Sequence, residues 1–100
     1  MVEGEPKARE SGRPLEARLL EAVGKALAGD WQAAHAIVQD HEGDARAAWI
    51  HAVVHRIEGD LDNARYWYGR CGRSLREGVS TEVELREIRA EIRKGSGVAR

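Results

Sequence analysis

The chain has 100 residues, of which 42% are hydrophobic and 33% charged, and its formal net charge at pH 7 is −1. This length fits one small domain, and the even mixture of acidic and basic residues predicts no surface for nucleic acid or for an anionic membrane. No apolar run approaches the roughly 20 residues that span a bilayer. A single cysteine, Cys71, excludes an internal disulfide, so we expect a protein of the reducing cytoplasm.

The first half of the chain predicts three helices after a flexible polar tail over residues 1–13. From Leu15 onward apolar residues recur about every four positions, which predicts an amphipathic helix that Gly29 ends. Asp30 is a suitable N-cap for a second helix. Gly43-Asp44 then separates this helix from a third, over residues 45–58.

The second half predicts two further helices. Asp60 caps the fourth, which we expect to end near Gly72 because glycine costs about 1 kcal/mol relative to alanine inside a helix. Thr81 and Glu84 have the spacing of a capping box at the start of the fifth. No segment alternates with a period of two, so the predicted class is all-α. We expect one helical domain over 14–94, a small bundle or short solenoid, and a flexible C-terminus over 95–100.

Two short segments repeat at a spacing of 30 residues: residues 29–34 (GDWQAA) and 59–64 (GDLDNA). Such self-similarity indicates stacked helical hairpins. The chain resembles the tetratricopeptide repeat over residues 15–72, with Ala34 and Ala64 in the small position and Tyr68 in the later aromatic one. This resemblance implies two tetratricopeptide-like hairpins plus a C-terminal helix. Two departures are the spacing, which is usually about 34 residues in that family, and the absence of its Leu-Gly pair.

Residues 31–73 are also similar to a family of small helical proteins. The motifs that carry this resemblance are WxxAHxIVQ, at Trp31–Gln39, and WIHAxxHRxEGDxxNARYWY, at Trp49–Tyr68. The resemblance implies a helical fold and brings no assigned function with it.

The third helix carries the candidate metal site. At about 100° per residue, His51, His55 and Glu58 fall within about 60° of one another, outside the apolar arc of that helix. Histidines four residues apart can bind one divalent metal ion, with Glu58 as a third ligand or as the partner of an imidazole. His35 or Gln39 of the second helix could approach them. The alternative is that these are surface residues or make hydrogen bonds to a neighbouring helix.

The fourth helix carries a second set of candidate binding residues: Asn63, Tyr66, Trp67 and Arg70. Aromatic residues and arginine are enriched at interface hot spots. The alternative is that the rings fill the core, which we expect for Trp31, Trp49 and Tyr68 and leave open for Tyr66 and Trp67.

The expected function is that of a protein- or peptide-interaction module, with a homodimer as one way to complete a short repeat array. The alternative is a metal- or small-ligand-binding protein built on His51, His55 and Glu58. If that site were catalytic, His55 would be the base and Glu58 would orient it. The sequence contains no phosphate loop, dinucleotide fingerprint or nucleophile elbow, so it predicts no particular reaction.

Overall fold

The computed structural model describes residues 13–95, which form five α-helices and contain no strand. The all-α class is therefore confirmed. The two predicted flexible tails lie outside the described residues, apart from Arg13 and Gly95, which are helical. The helices are α1 (Arg13–Leu27), α2 (Trp31–Gln39), α3 (Ala45–Glu58), α4 (Leu61–Arg70) and α5 (Thr81–Gly95).

Local signals set the boundaries of α2, α3 and α4, as the sequence predicts. Asp30, Asp44 and Asp60 each accept a hydrogen bond from a backbone N–H of the following first turn, at 2.8–3.2 Å. The residues that precede α2 and α4, Gly29 and Gly59, have φ angles of 93° and 95°. Glycine is favoured there because a Cβ would be strained in the left-handed region.

The start of α5 differs from the predicted capping box. The hydroxyl of Ser80 accepts from the backbone N–H of Val83 at 3.1 Å, so Ser80 is the cap and Thr81 is the first helical residue. Glu84, which the box would place near the exposed start of the helix, is 1% exposed. Its carboxylate binds side chains from the rest of the domain instead of the backbone of its own first turn.

Helix α3 is the centre of the fold, because it packs against each of the other four helices. Its residues from Ala47 to His55 are all buried. The sequence predicted one apolar arc and a separate polar stripe on this helix. In the structure α2 and α4 cover the two histidines of this stripe, so His51 and His55 belong to the interior, whereas Glu58 stays exposed.

Helix α5 completes the core by packing across α1 and α3. Its buried apolar residues are Leu85, Ile88 and Ile92, as the sequence predicts. In the described part of the chain, the large apolar side chains that stay exposed are Leu61, Tyr66 and Val83. No helix between residues 13 and 95 is both long and apolar enough to cross a bilayer.

Candidate functional site

Three histidines from two helices meet beside α4. One ring nitrogen each from His35, His51 and His55 forms a group in which all the nitrogens lie within 4.8 Å of one another. His51 and His55 are one turn apart on α3 and stack with their ring centroids 5.0 Å apart. The ring of His35 on α2 meets both edge-on, at 4.7 and 5.2 Å. Of the two α2 residues considered from the sequence, His35 joins the site and Gln39 is exposed.

Glu58 acts on this group through His55. The Nδ1 of His55 and the Oε1 of Glu58 are 2.8 Å apart. A carboxylate oxygen accepts here, so Nδ1 of His55 is the donor, and in the neutral ring the lone pair is on Nε2. Glu58 also belongs to a second group of possible metal ligands, with His55 and Asp60, but Asp60 already caps α4. The geometry favours Glu58 as the partner of an imidazole over Glu58 as a third ligand.

His51 lies deepest in the group and is 3% exposed. The ring of Trp67 covers one of its faces, with centroids 3.9 Å apart and planes inclined by 11°. Burial, together with the neighbouring His35 and His55, lowers the pKa of His51 from 6.5 to about 3. His51 is therefore neutral at pH 7, which is the form of imidazole that binds metal ions.

The hydrogen bonding of His51 is incomplete among the described residues. Its Nε2 lies 3.1 Å from the Nε2 of His35, whereas its buried Nδ1 has no partner. Leaving a buried polar atom unpaired costs about 1–3 kcal/mol. Two imidazole nitrogens on a tetrahedral zinc ion, each at about 2.0–2.1 Å, would be about 3.3 Å apart. The 3.1 Å between the Nε2 atoms of His35 and His51 therefore fits either a hydrogen bond between the two rings or a metal ion bound by both.

The four candidate residues of α4 divide into two groups. Trp67 is buried against His51 and belongs to the site. Tyr66 is 54% exposed, and its hydroxyl accepts from Arg70 at 2.9 Å on the outer face of the helix. Asn63 is exposed and donates through its side chain to Asp60 at 2.8 Å. The structure thus brings together the histidine stripe and Trp67. Tyr66 and Arg70 contact Trp67 without reaching the histidines, with the Tyr66 ring edge-on at 5.1 Å and the Arg70 guanidinium 5.3 Å from the indole centroid. The side chain of Asn63 forms no hydrogen bond to the histidines or to Trp67.

Sequence reasoning missed a second polar centre, at Glu84. Its carboxylate accepts from the indole N–H of Trp49, the hydroxyl of Tyr68 and the guanidinium of Arg56, each at 2.7 Å. A signal was present in the sequence, because Glu84 lies four residues before Ile88 on the apolar stripe of α5. The predicted capping box instead assigned Glu84 to the first turn of the helix, away from the core.

Comparison of the chain with protein-family models, with curated proteins and with solved structures gives no match. The two family resemblances therefore remain expectations, and the function has to be argued from the chemistry of the histidine site.

Proposed function

We propose that this protein binds a first-row transition-metal ion, with Zn²⁺ as the first candidate, through His35, His51 and His55. The observation that carries the proposal is the convergence of three imidazole nitrogens within 4.8 Å from two packed helices. Imidazole is a ligand that suits zinc, copper, nickel and iron, whereas magnesium and calcium prefer oxygen. The neutral state of His51 supports the proposal, because a protonated ring could not bind a cation.

The surroundings of the three rings support the same proposal. Metal-ligating histidines commonly donate their other ring N–H to a carboxylate, and Glu58 takes this role beside His55. Trp67 shields His51 from water on one face. His35 is partly exposed, so a metal ion can reach the site from that side. A water molecule entering by the same route would be the fourth ligand of the ion. The competing explanation is a hydrogen-bonded histidine cluster in the core.

The test is a zinc titration of untagged, chelator-treated protein by isothermal calorimetry. We expect one ion per chain, and we expect His35→Gln to abolish binding because it removes a ligand from the partly exposed side. His41→Gln is the matched control, since His41 lies in the turn after α2 and outside the group. Absence of zinc binding, or equal loss in both variants, would overturn the proposal.

Glu58→Gln separates a metal site from adventitious binding to surface histidines. The amide can still accept from Nδ1 of His55 but no longer carries the charge that raises the basicity of the ring. We expect about 10- to 100-fold weaker zinc binding. Glu82→Gln is the control, because that carboxylate is exposed and pairs with Arg86 on α5.

A second candidate function is a tetratricopeptide-like interaction module, in which the pairs α1–α2 and α3–α4 present a partner-binding surface. The observation that favours it is Tyr66, a large exposed aromatic side chain held by the hydroxyl contact with Arg70. Sedimentation at increasing protein concentration tests self-association, with Tyr66→Ala as the variant and Val83→Ala as the exposed control. Association that Tyr66→Ala leaves unchanged would remove this surface from consideration.

A further inference from the structure

A cation from the chain itself covers the indole of Trp49. The guanidinium carbon of Arg73 lies 3.4 Å from the centroid of the Trp49 ring. Arg73 follows α4 in the segment that leads to α5, and it is exposed, whereas Trp49 belongs to the core helix α3. No carboxylate among residues 13–95 is within ion-pair distance of Arg73. Its guanidinium is therefore held by a cation–π contact.

Cavities lie around this arginine. One, of about 350 Å³, is lined by Arg73 together with Tyr68 and Ser74. Two more, of about 270 and 160 Å³, are each lined by both Arg73 and Trp49. Arg73 lines all three, and movement of this one side chain would open the two cavities at Trp49 to each other over the indole. Moving Arg73 away would break its cation–π contact with Trp49 but would break no ion pair between described residues.

The charges around the indole are balanced only when Arg73 is counted. Two of the arginines beside it are already paired: Arg76 with Glu87 at 2.6 Å, and Arg46 with Asp44 and Glu16. Without Arg73, the charged residues that line the two cavities at Trp49 have a net charge of −1, from two arginines and three glutamates. These residues are Arg46, Arg76, Glu84, Glu87 and Glu91.

We propose that the face of Trp49 is a binding site for a guanidinium ligand, which Arg73 occupies in the free protein. The ligand is either free arginine or an arginine side chain of a peptide, and it takes the place of Arg73 over the indole. Glu87 and Glu91 line the cavities at Trp49 and then lie beside the ligand, which shares them with their present partners, Arg76 and Lys94. A planar guanidinium stacks on an aromatic face more favourably than a strongly hydrated ammonium does, so arginine is preferred to lysine.

The test follows the indole N–H resonance of Trp49 by NMR while N-acetyl-arginine amide is added to the chelator-treated protein. This N–H is bonded to Glu84, so it also reports that the local fold is intact. We expect saturable binding, with a Kd of about 1 mM or weaker in the wild type. Arg73→Ala should bind at least about tenfold more tightly, because the ligand no longer competes with the chain's own arginine.

Matched ligands and variants make the result specific. N-acetyl-lysine amide should bind several-fold more weakly, and urea should not bind. Glu87→Gln should weaken binding, whereas Arg65→Ala should leave it unchanged, because Arg65 lines the cavity of about 350 Å³ without lining either cavity at Trp49. Free arginine and a capped Gly-Arg-Gly peptide distinguish the two sources of the ligand. Tighter binding of free arginine indicates that the ligand is the amino acid, and tighter binding of the peptide indicates that it is an arginine side chain of a peptide.

Arg73→Met provides a second variant in case exposure of the indole by alanine disturbs the fold, because the methionine side chain is apolar and covers the ring without a charge. Binding to Arg73→Ala or Arg73→Met with none to the wild type would show that Arg73 is a permanent cover, and would overturn the proposal. Equal shifts with arginine, lysine and urea ligands would do the same.

Discussion

His51 shows at the scale of one residue how burial determines chemical character. The sequence places it on a helix beside other polar residues, which by itself predicts an ordinary imidazole. In the structure Trp67 covers one face, the ring of His55 is stacked with its centroid 5.0 Å away, and His35 meets the ring edge-on. The charged form is disfavoured both by desolvation and by the neighbouring rings, so one ring nitrogen keeps an available lone pair.

We expect this residue to make the metal-free protein less stable in acid. The pKa of His51 is about 3 in the folded state against 6.5 ordinarily, so the unfolded chain takes up the proton at higher pH. Its contribution to stability is complete above about pH 6.5 and is lost as the pH falls toward 3, by up to about 1.4 kcal/mol per pH unit. Urea unfolding between about pH 7 and pH 4 measures this loss.

His51→Phe is the control for the pH profile, because phenylalanine keeps a ring against Trp67 and binds no proton. The other ionisable groups are present in both proteins, so the difference between the two profiles reports the contribution of His51 together with its interaction with His35 and His55. Identical slopes in the wild type and the variant would contradict the expectation.

A second prediction at the scale of one residue concerns Glu84. Glu84→Gln removes the buried charge that faces Arg56, whose side chain is only 12% exposed, and replaces an acceptor by a donor near Trp49 and Tyr68. Removing one partner of a buried ion pair costs about 3–5 kcal/mol. We expect a loss of unfolding free energy of that size by urea denaturation. Glu82→Gln, at an exposed pair, should change it by less than about 1 kcal/mol.

At the scale of the element, helix boundaries depend on a few backbone positions. Gly59 ends α3 with a φ angle of 95°, and its N–H donates to the carbonyl groups of His55 and Arg56. Gly59→Ala places a Cβ in the left-handed region, which costs about 1–2 kcal/mol. Thermal unfolding should show this loss. Gly78→Ala is the matched control, since Gly78 has open space around it and no positive φ, and its effect should stay within about 0.5 kcal/mol.

At the scale of the whole molecule, the histidine site joins the two helical pairs. His35 belongs to the pair α1–α2, and His51 belongs to the pair α3–α4. An ion held by both would bind the folded chain and lose its site on unfolding. At a free zinc concentration of 100 times the Kd we expect about 2.7 kcal/mol of added stability. Differential scanning calorimetry should show a higher midpoint with zinc for the wild type and no change for His35→Gln.

Features that depend on interactions between neighbouring residues were predictable from the sequence, whereas features that depend on contacts between helices were not. The turns at Gly29-Asp30 and Gly59-Asp60 were predictable because the side chain that caps each helix bonds within three residues of itself. The stripe of His51 and His55 was predictable from the period of one helix. The choice of His35 over Gln39 was not, because it depends on how α2 is rotated against α3. The burial of Glu84 was not either, since its partners lie 16 to 35 residues away.

The sequence alone therefore determined an all-α chain, the ends of its central helices and one turn of α3 with two histidines on the same face. Short-range capping, glycine geometry and helical period account for these features, since each needs only neighbouring residues. The tertiary structure decided that α2 and α4 cover the histidine stripe, that Trp67 lies inside and Tyr66 outside, and that Arg73 rests on Trp49. These outcomes depend on the packing of whole helices, because burial is a property of the assembled core.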